Sequence, residues 1–151
     1  MASTAGCTPW LEGWSPHACI PATDTLPEWR SGKYIVYPVT RLLDNDGGFA
    51  LAEFRVSADG RVSDIRNIDN NYHGFYVHTK DAIQNWELLP ATQDGQPVAV
   101  TCRHIFSFGE RIGPPDRPED AWQLLVDPSL LTDFDNDGPA VRDADGPRLN
   151  P

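Results

Sequence analysis

The sequence predicts an α+β domain: an antiparallel sheet packed on one helix, in the order ββαβ, with irregular extensions at both ends. Three observations predict it. Residues 49–56 alternate, with Ala50, Ala52, Phe54 and Val56 on one face and Leu51, Glu53 and Arg55 on the other. Residues 75–86 place Phe75, Thr79, Ala82, Ile83 and Trp86 on one helical stripe. Residues 98–108 alternate again, with Val98, Val100, Cys102, His104, Phe106 and Phe108 sharing a face.

Each element follows in order. Residues 1–36 hold Pro9, Pro16, Pro21 and Pro27 with Trp10, Trp14 and Trp29 between them, which breaks regular structure yet offers large apolar rings. Disordered chains are poor in aromatics, so this segment reads as an irregular arm packed on the domain. The first strand ends at Ser57-Ala58-Asp59-Gly60, a turn with glycine where a positive φ is needed, and residues 62–68 return as the second strand of a hairpin. The helix follows. Leu89-Pro90 stops it, Asp94-Gly95 turns the chain, and the last strand runs to Phe108. Beyond it come Gly113-Pro114-Pro115, a short predicted helix over 119–126 and an Asp/Gly/Pro-rich end. The predicted organisation is an arm over 1–36, a folded domain over 37–108 and an acidic extension over 109–151.

The 151 residues are enough for one hydrophobic core. Their formal charge of −10 and pI near 4.6 would repel a polyanion, which argues against nucleic acid as a partner. Ten acids against four bases in 109–151 make the tail the most acidic part. No window is apolar over the length a bilayer crossing needs, and the first eleven residues lack the basic and apolar regions of an export signal. Ser3-Thr4-Ala5-Gly6-Cys7 nevertheless reads like the end of a lipoprotein signal, with Cys7 as the lipidated residue.

Cys7, Cys19 and Cys102 are too few for a disulfide framework and have no zinc-type spacing. A Cys7–Cys19 bridge would close a short loop worth about 3 kcal/mol by chain entropy, and a lipid on Cys7 would exclude it. Both fates stay open. Cys102 and His104 point the same way on a strand, as a thiolate and base would, but Val100, Phe106 and Phe108 beside them and the lack of an orienting third group favour a core role. His73, His78 and Asp81 have no established ligand spacing and read as surface. Asp133-x-Asp135-x-Asp137-Gly138 opens like a calcium loop, with Asp143 and Asp145 as further oxygens. Ala144 stands where the bidentate Glu belongs, so a solvated acidic tail is the default and calcium the alternative. Trp10, Trp14, Trp29 and Trp122 are candidates either for partner anchors or for cover on the domain's own sheet.

One set of residues carries a family pattern. Tyr37-Pro38, Gly48, Val56-Ser57-Ala58-Asp59-Gly60-Arg61-Val62, Ala82-Ile83, Trp86, Pro90-Ala91, Gly95-Gln96-Pro97-Val98 and Phe108 occur in unbroken order across about half the chain. In this the chain resembles the TonB C-terminal domain. The resemblance implies a periplasmic or envelope-associated binding fold, not an enzyme, whose sheet edge pairs with an extended peptide of an outer-membrane receptor. Carried onto this sequence, the edge would be that of the last strand, at Val100, Thr101, Arg103 and Ile105. The chain departs from the family's transducers in having no N-terminal transmembrane helix or long Pro-rich arm, Asn85 and Glu87 beside Trp86, and Asn67 at a strand position normally apolar. A noncatalytic accessory or adaptor module with protein partners is therefore expected; a divergent energy transducer and a fixed structural subunit of a membrane-associated complex are the alternatives. A fold alone does not choose among them.

Overall fold

The computed structural model describes residue 11 and residues 13–36, 48–108, 127 and 129–136. Cys7, Trp10, Tyr37-Pro38, Trp122, the helix expected over 119–126, and Asp137, Asp143 and Asp145 lie outside the described residues.

The main sheet has four antiparallel strands in the order β1-β8-β3-β4: β1 (Ala18–Ile20), β8 (Val100–Phe108), β3 (Gly48–Val56) and β4 (Val62–Asn70). Between β4 and β8 come helix α1 (His73–Ile83), β5 (Glu87–Leu89), β6 (Ala91–Gln93) and β7 (Gln96–Val98); β2 (Glu28–Ser31) precedes β3, and a short helix, α2 (Ser129–Thr132), follows β8. The ββαβ core is thus β3-β4-α1-β8, an α+β domain with the predicted element order.

β3 and β4 form the hairpin. Ser57 accepts the amide of Gly60 at 2.9 Å, and its hydroxyl accepts those of Asp59 and Arg61, so the turn closes on itself. Gly60 has φ 86°, and a Cβ there would strike the Leu88 carbonyl oxygen, so both the turn and the approach of β5 demand glycine. β4 slips register against β3 twice, between Leu51 and Ala52 and between Glu53 and Arg55.

α1 is shorter than the stripe suggested. It ends at Ile83, and Trp86 follows it, with its amide donating to Ile83 O and its indole N–H to Lys33 O at 2.8 Å. The predicted last strand also divides: Gln96–Val98 belongs to a separate ribbon with Ala91–Gln93, turned by Asp94 and Gly95 at φ 55° and 79°, and β8 starts at Val100. Two consecutive positive φ values are what a two-residue hairpin matching the strand twist requires.

The expected core forms under α1. Ala50, Ala52, Phe54 and Val56 of β3 meet Val100, Cys102, Phe106 and Phe108 of β8, Phe75 and Ile83 of α1, and Trp86. The opposite face is also buried: Phe49, Leu51, Ile68 and Ile105 pack beneath Leu130 of α2. β3 is therefore covered on both faces rather than half-buried, because the C-terminal segment folds back over it.

The arm expected to be irregular carries β1 and β2. β1 pairs with β8, and β2 pairs antiparallel with β5. Trp14 enters the main core, stacked on Phe106 at 5.8 Å and edge-on to Trp86 at 5.1 Å. Residues outside 37–108 are thus part of the same folded unit.

Candidate partner-binding edge

A sheet edge offers a partner its unpaired main-chain groups, so the question is which edges are free. In an antiparallel strand successive residues turn their main-chain groups to opposite neighbours. Phe49 accepts the amide of Asn71 on the β4 side, which sets the phase of β3, and the β3–β8 register then turns Cys102, His104 and Phe106 towards β3. Thr101, Arg103, Ile105 and Ser107 accordingly face outward. The main-chain groups of Thr101, Arg103 and Ile105 thus lie on the outer side of β8, whereas Val100 belongs to the inward set.

That edge is occupied. Ala18 lies opposite Arg103, Cys19 opposite Cys102 and Ile20 opposite Thr101. Just beyond, the amide of Ile105 donates to the His17 ring nitrogen Nδ1 at 3.1 Å. β1 stops after three residues, and Pro16 and Pro21 stand close on either side of it. At its centre Cys19 and Cys102 are joined by a disulfide across 83 residues of sequence. The pair is the non-hydrogen-bonded one, where facing residues come closest, which suits a cross-strand bond.

This overturns the Cys7–Cys19 alternative and agrees with the core role expected for Cys102. Cys19 bonds Cys102, so a Cys7–Cys19 bridge does not form. Cys102 is consumed in that bond and is no thiolate, while His104 Nε2 accepts the indole N–H of Trp14 at 3.2 Å and its ring stacks on His17 at 4.1 Å.

The side chains expected along the edge are mostly interior. Val100 and Ile105 are buried, and Thr101 is half-buried. Arg103 is 0% exposed. Its Nε donates to Glu53 at 3.0 Å and its Nη2 to the same carboxylate at 2.8 Å, while Nη1 and Nη2 reach the carbonyls of Leu130, Asp133 and Asn136 at 2.7, 3.2 and 3.0 Å. All five N–H groups of the guanidinium are used. Phe134 lies under it, 4.8 Å from ring centroid to Cζ. Glu53 also binds Arg66 at 3.2 Å. Arg103 therefore pins the C-terminal turn to the sheet and is no partner-facing cation.

The opposite edge, β4, pairs with no strand on its outer side among the described residues. It is a poor strand acceptor: its two bulges bend the ladder, Asp64 sits at φ 51°, and Ser63, Asp64 and Arg66 are exposed polar residues.

Among the described residues the remaining candidates stand apart from one another. His78 donates Nδ1–H to Val36 O at 2.8 Å, and Asp81 pairs with Lys33 at 2.8 Å, which holds its carboxyl below the ordinary carboxylate range by hydrogen bond and charge. Among the described residues no three His, Cys, Asp or Glu side chains gather as metal ligands. Asp133 and Asp135 form a tight turn, with the Asp135 amide on the Asp133 carboxylate at 3.1 Å, and the Asp133 carbonyl serves Arg103. Trp14 and Trp29, expected as anchors or cover, are cover: Trp29 lies on β2 opposite Leu88 and donates its amide to Trp14 O.

The occupant of the edge was missed by sequence reasoning. The only local signal is that Ala18-Cys19-Ile20 is a short apolar run free of proline between Pro16 and Pro21.

Comparison with known proteins gives three results. A family model described as Gram-negative bacterial TonB protein C-terminal matches residues 33–109. The peptidyl-prolyl cis-trans isomerase FKBP20-1 of Arabidopsis thaliana is 30% identical over 67 residues, which are 44% of this chain and 35% of that protein. The chain thus spans about a third of that curated relative's length. The solution NMR structure of the Pseudomonas aeruginosa TonB CTD is similar with a TM-score of 0.48 and 22% identity, over 59% of this chain and 89% of that one.

Proposed function

Because the chain belongs to the Gram-negative bacterial TonB protein C-terminal family, we propose that it is a noncatalytic protein-binding module of the cell envelope that takes an extended segment of a partner along the outer edge of β8. The observation that carries this reading is the docking of β1: an extended segment with no other regular structure pairs antiparallel at Arg103, Cys102 and Thr101. The edge is therefore competent for strand addition, the mode in which main-chain hydrogen bonds supply affinity. β1 spans three residues and β8 nine, so a longer visitor in its place would extend the ladder past Ile105 to Ser107. An outer-membrane receptor peptide is one such visitor. An adaptor's partner within the envelope is the other.

The test is site-specific photocrosslinking in cells, with p-benzoylphenylalanine at Thr101 or Ser107 on β8 and at Arg66 on β4 as the contrast. Adducts with envelope proteins from the two β8 positions and not from Arg66 are expected. The same adducts from all three positions, or none from β8, would overturn the reading.

A further inference from the structure

The segment filling the proposed docking edge is bound to it covalently at one point, and that point is reducible. We infer that the Cys19–Cys102 disulfide is a latch: closed, it keeps β1 on the outer edge of β8; opened by a dithiol, it frees that edge for a partner strand. The inference rests on the strand-addition reading and adds its regulation.

Four observations carry it. First, β1 meets β8 at only Ala18, Cys19 and Ile20, and the bonded pair is the middle one, so non-covalent pairing is confined to the two flanking pairs. Three residues is the short end of strand length, so main-chain pairing alone holds β1 weakly. Second, Pro16 and Pro21 stand within two residues of β1 on either side and cannot donate to a ladder, so the pairing has little room to lengthen in compensation.

Third, the rest of the arm is held elsewhere. β2 pairs with β5, Thr25 and Asp24 bond to Thr92, and Trp14 sits among Trp86, Phe106 and His104. β1 therefore lies in a loop closed at its base by the Trp29 amide on Trp14 O and tied again at Thr92, and it can leave β8 with those ties intact. Fourth, the two cysteines differ in exposure: Cys102 is 0% exposed, whereas Cys19 is half-buried on the edge strand.

That asymmetry sets the chemistry. A thiolate of the dithiol attacks Cys19 Sγ, and Cys102 leaves as a thiolate that takes up a proton. The second thiol of the reductant then attacks the mixed disulfide and releases Cys19, which is protonated in turn. Two electrons and two protons pass to the protein, and the dithiol leaves as its own disulfide. The outward main-chain groups of Thr101 and Arg103 lose their partners, and His17 remains as the cap on Ile105.

Hydrogen exchange on the full-length chain, oxidised and after dithiothreitol, reads this directly, because β8 carries its own internal control. In the oxidised protein the outward amides of Thr101 and Arg103 and the inward amides of Cys102 and His104 should be comparably protected. After reduction the outward pair should exchange about 100-fold faster than the inward pair, which β3 still holds. The Cys19→Ser variant should behave as the reduced protein does. Equal protection of both sets after reduction, whether both stay slow or both become fast, overturns the latch: the first means that packing of the arm alone retains β1, the second that the bond is a staple of the whole fold. Crosslinking from Ser107 then separates the latch from the reading beneath it. More adduct in Cys19→Ser than in the parent chain supports both. An edge that opens by exchange yet captures no partner upholds the latch and overturns strand addition, and adducts of equal yield from the parent and Cys19→Ser do the reverse.

Discussion

Arg103 shows how a residue's position on a strand can be legible while its role is not. Alternation placed it with Thr101 and Ile105, and a lone cation on a strand reads as solvent-facing. Its burial depends on three carbonyl groups at Leu130, Asp133 and Asn136, which no local pattern links to β8. A buried charge persists only when paired and fully hydrogen-bonded, and Glu53 with those carbonyls meets that condition. Arg103→Ala leaves Glu53 to Arg66 alone and takes one donor from each of the three carbonyls, so it should cost about 3–5 kcal/mol, the range for breaking a buried pair. Urea denaturation measures this loss. Arg103→Lys should recover only part of it, since an ammonium has three donors and no planar fork. Equal stability of Arg103→Ala and the parent would show that the C-terminal turn holds to the sheet through Leu130 alone.

At the scale of elements, the hairpin, helix and last strand were legible because each is amphipathic with the period of its own geometry. The Asp94-Gly95 turn was legible for the same local reason, since positive φ at both positions restricts the residues that fit. The end of α1 was not. Trp86 falls on the helical stripe, yet the chain has already left the helix after Ile83, and the indole reaches the core from the following loop with its N–H on Lys33 O. Periodicity reports which side chains point inward and says less about where the backbone stops turning. The arm escaped for a different reason: β1 and β2 are three and four residues long, too short to show a period, and gain their order from β8 and β5. Trp14 is the residue that makes the arm part of the core. Trp14→Ala removes a ring packed on Trp86, Phe106 and His104 and takes the donor from His104 Nε2. A loss of about 3 kcal/mol is expected from guanidinium unfolding, in the range for deleting a buried aromatic, whereas an arm merely resting on the surface would cost less than about 1 kcal/mol on substitution.

Across the whole molecule, the two extensions close opposite faces of one sheet. Trp14 and Leu11 join the side under α1, Leu130 seals the other, and the Cys19–Cys102 bond ties the N-terminal arm to the last strand. Closing a loop of that length restricts the unfolded chain by about 4–5 kcal/mol on the entropy model. The family pattern covers residues 33–109, and it was legible because those residues form the hairpin, helix and strand that define the fold. What surrounds the pattern is written in long-range contacts instead. The matched segment is therefore not expected to fold by itself. A fragment of residues 33–109 would expose Phe49, Leu51, Ile68 and Ile105 on one face, lose the rings over Phe106 on the other, and keep Arg103 without its carbonyls or the disulfide. With a domain's net stability only about 5–15 kcal/mol, these losses together remove it. The fragment should therefore show no cooperative thermal transition and poor amide dispersion by NMR, while the full chain unfolds cooperatively. Cooperative unfolding of the fragment near the full chain's midpoint would mean that the arm and tail decorate a self-sufficient domain.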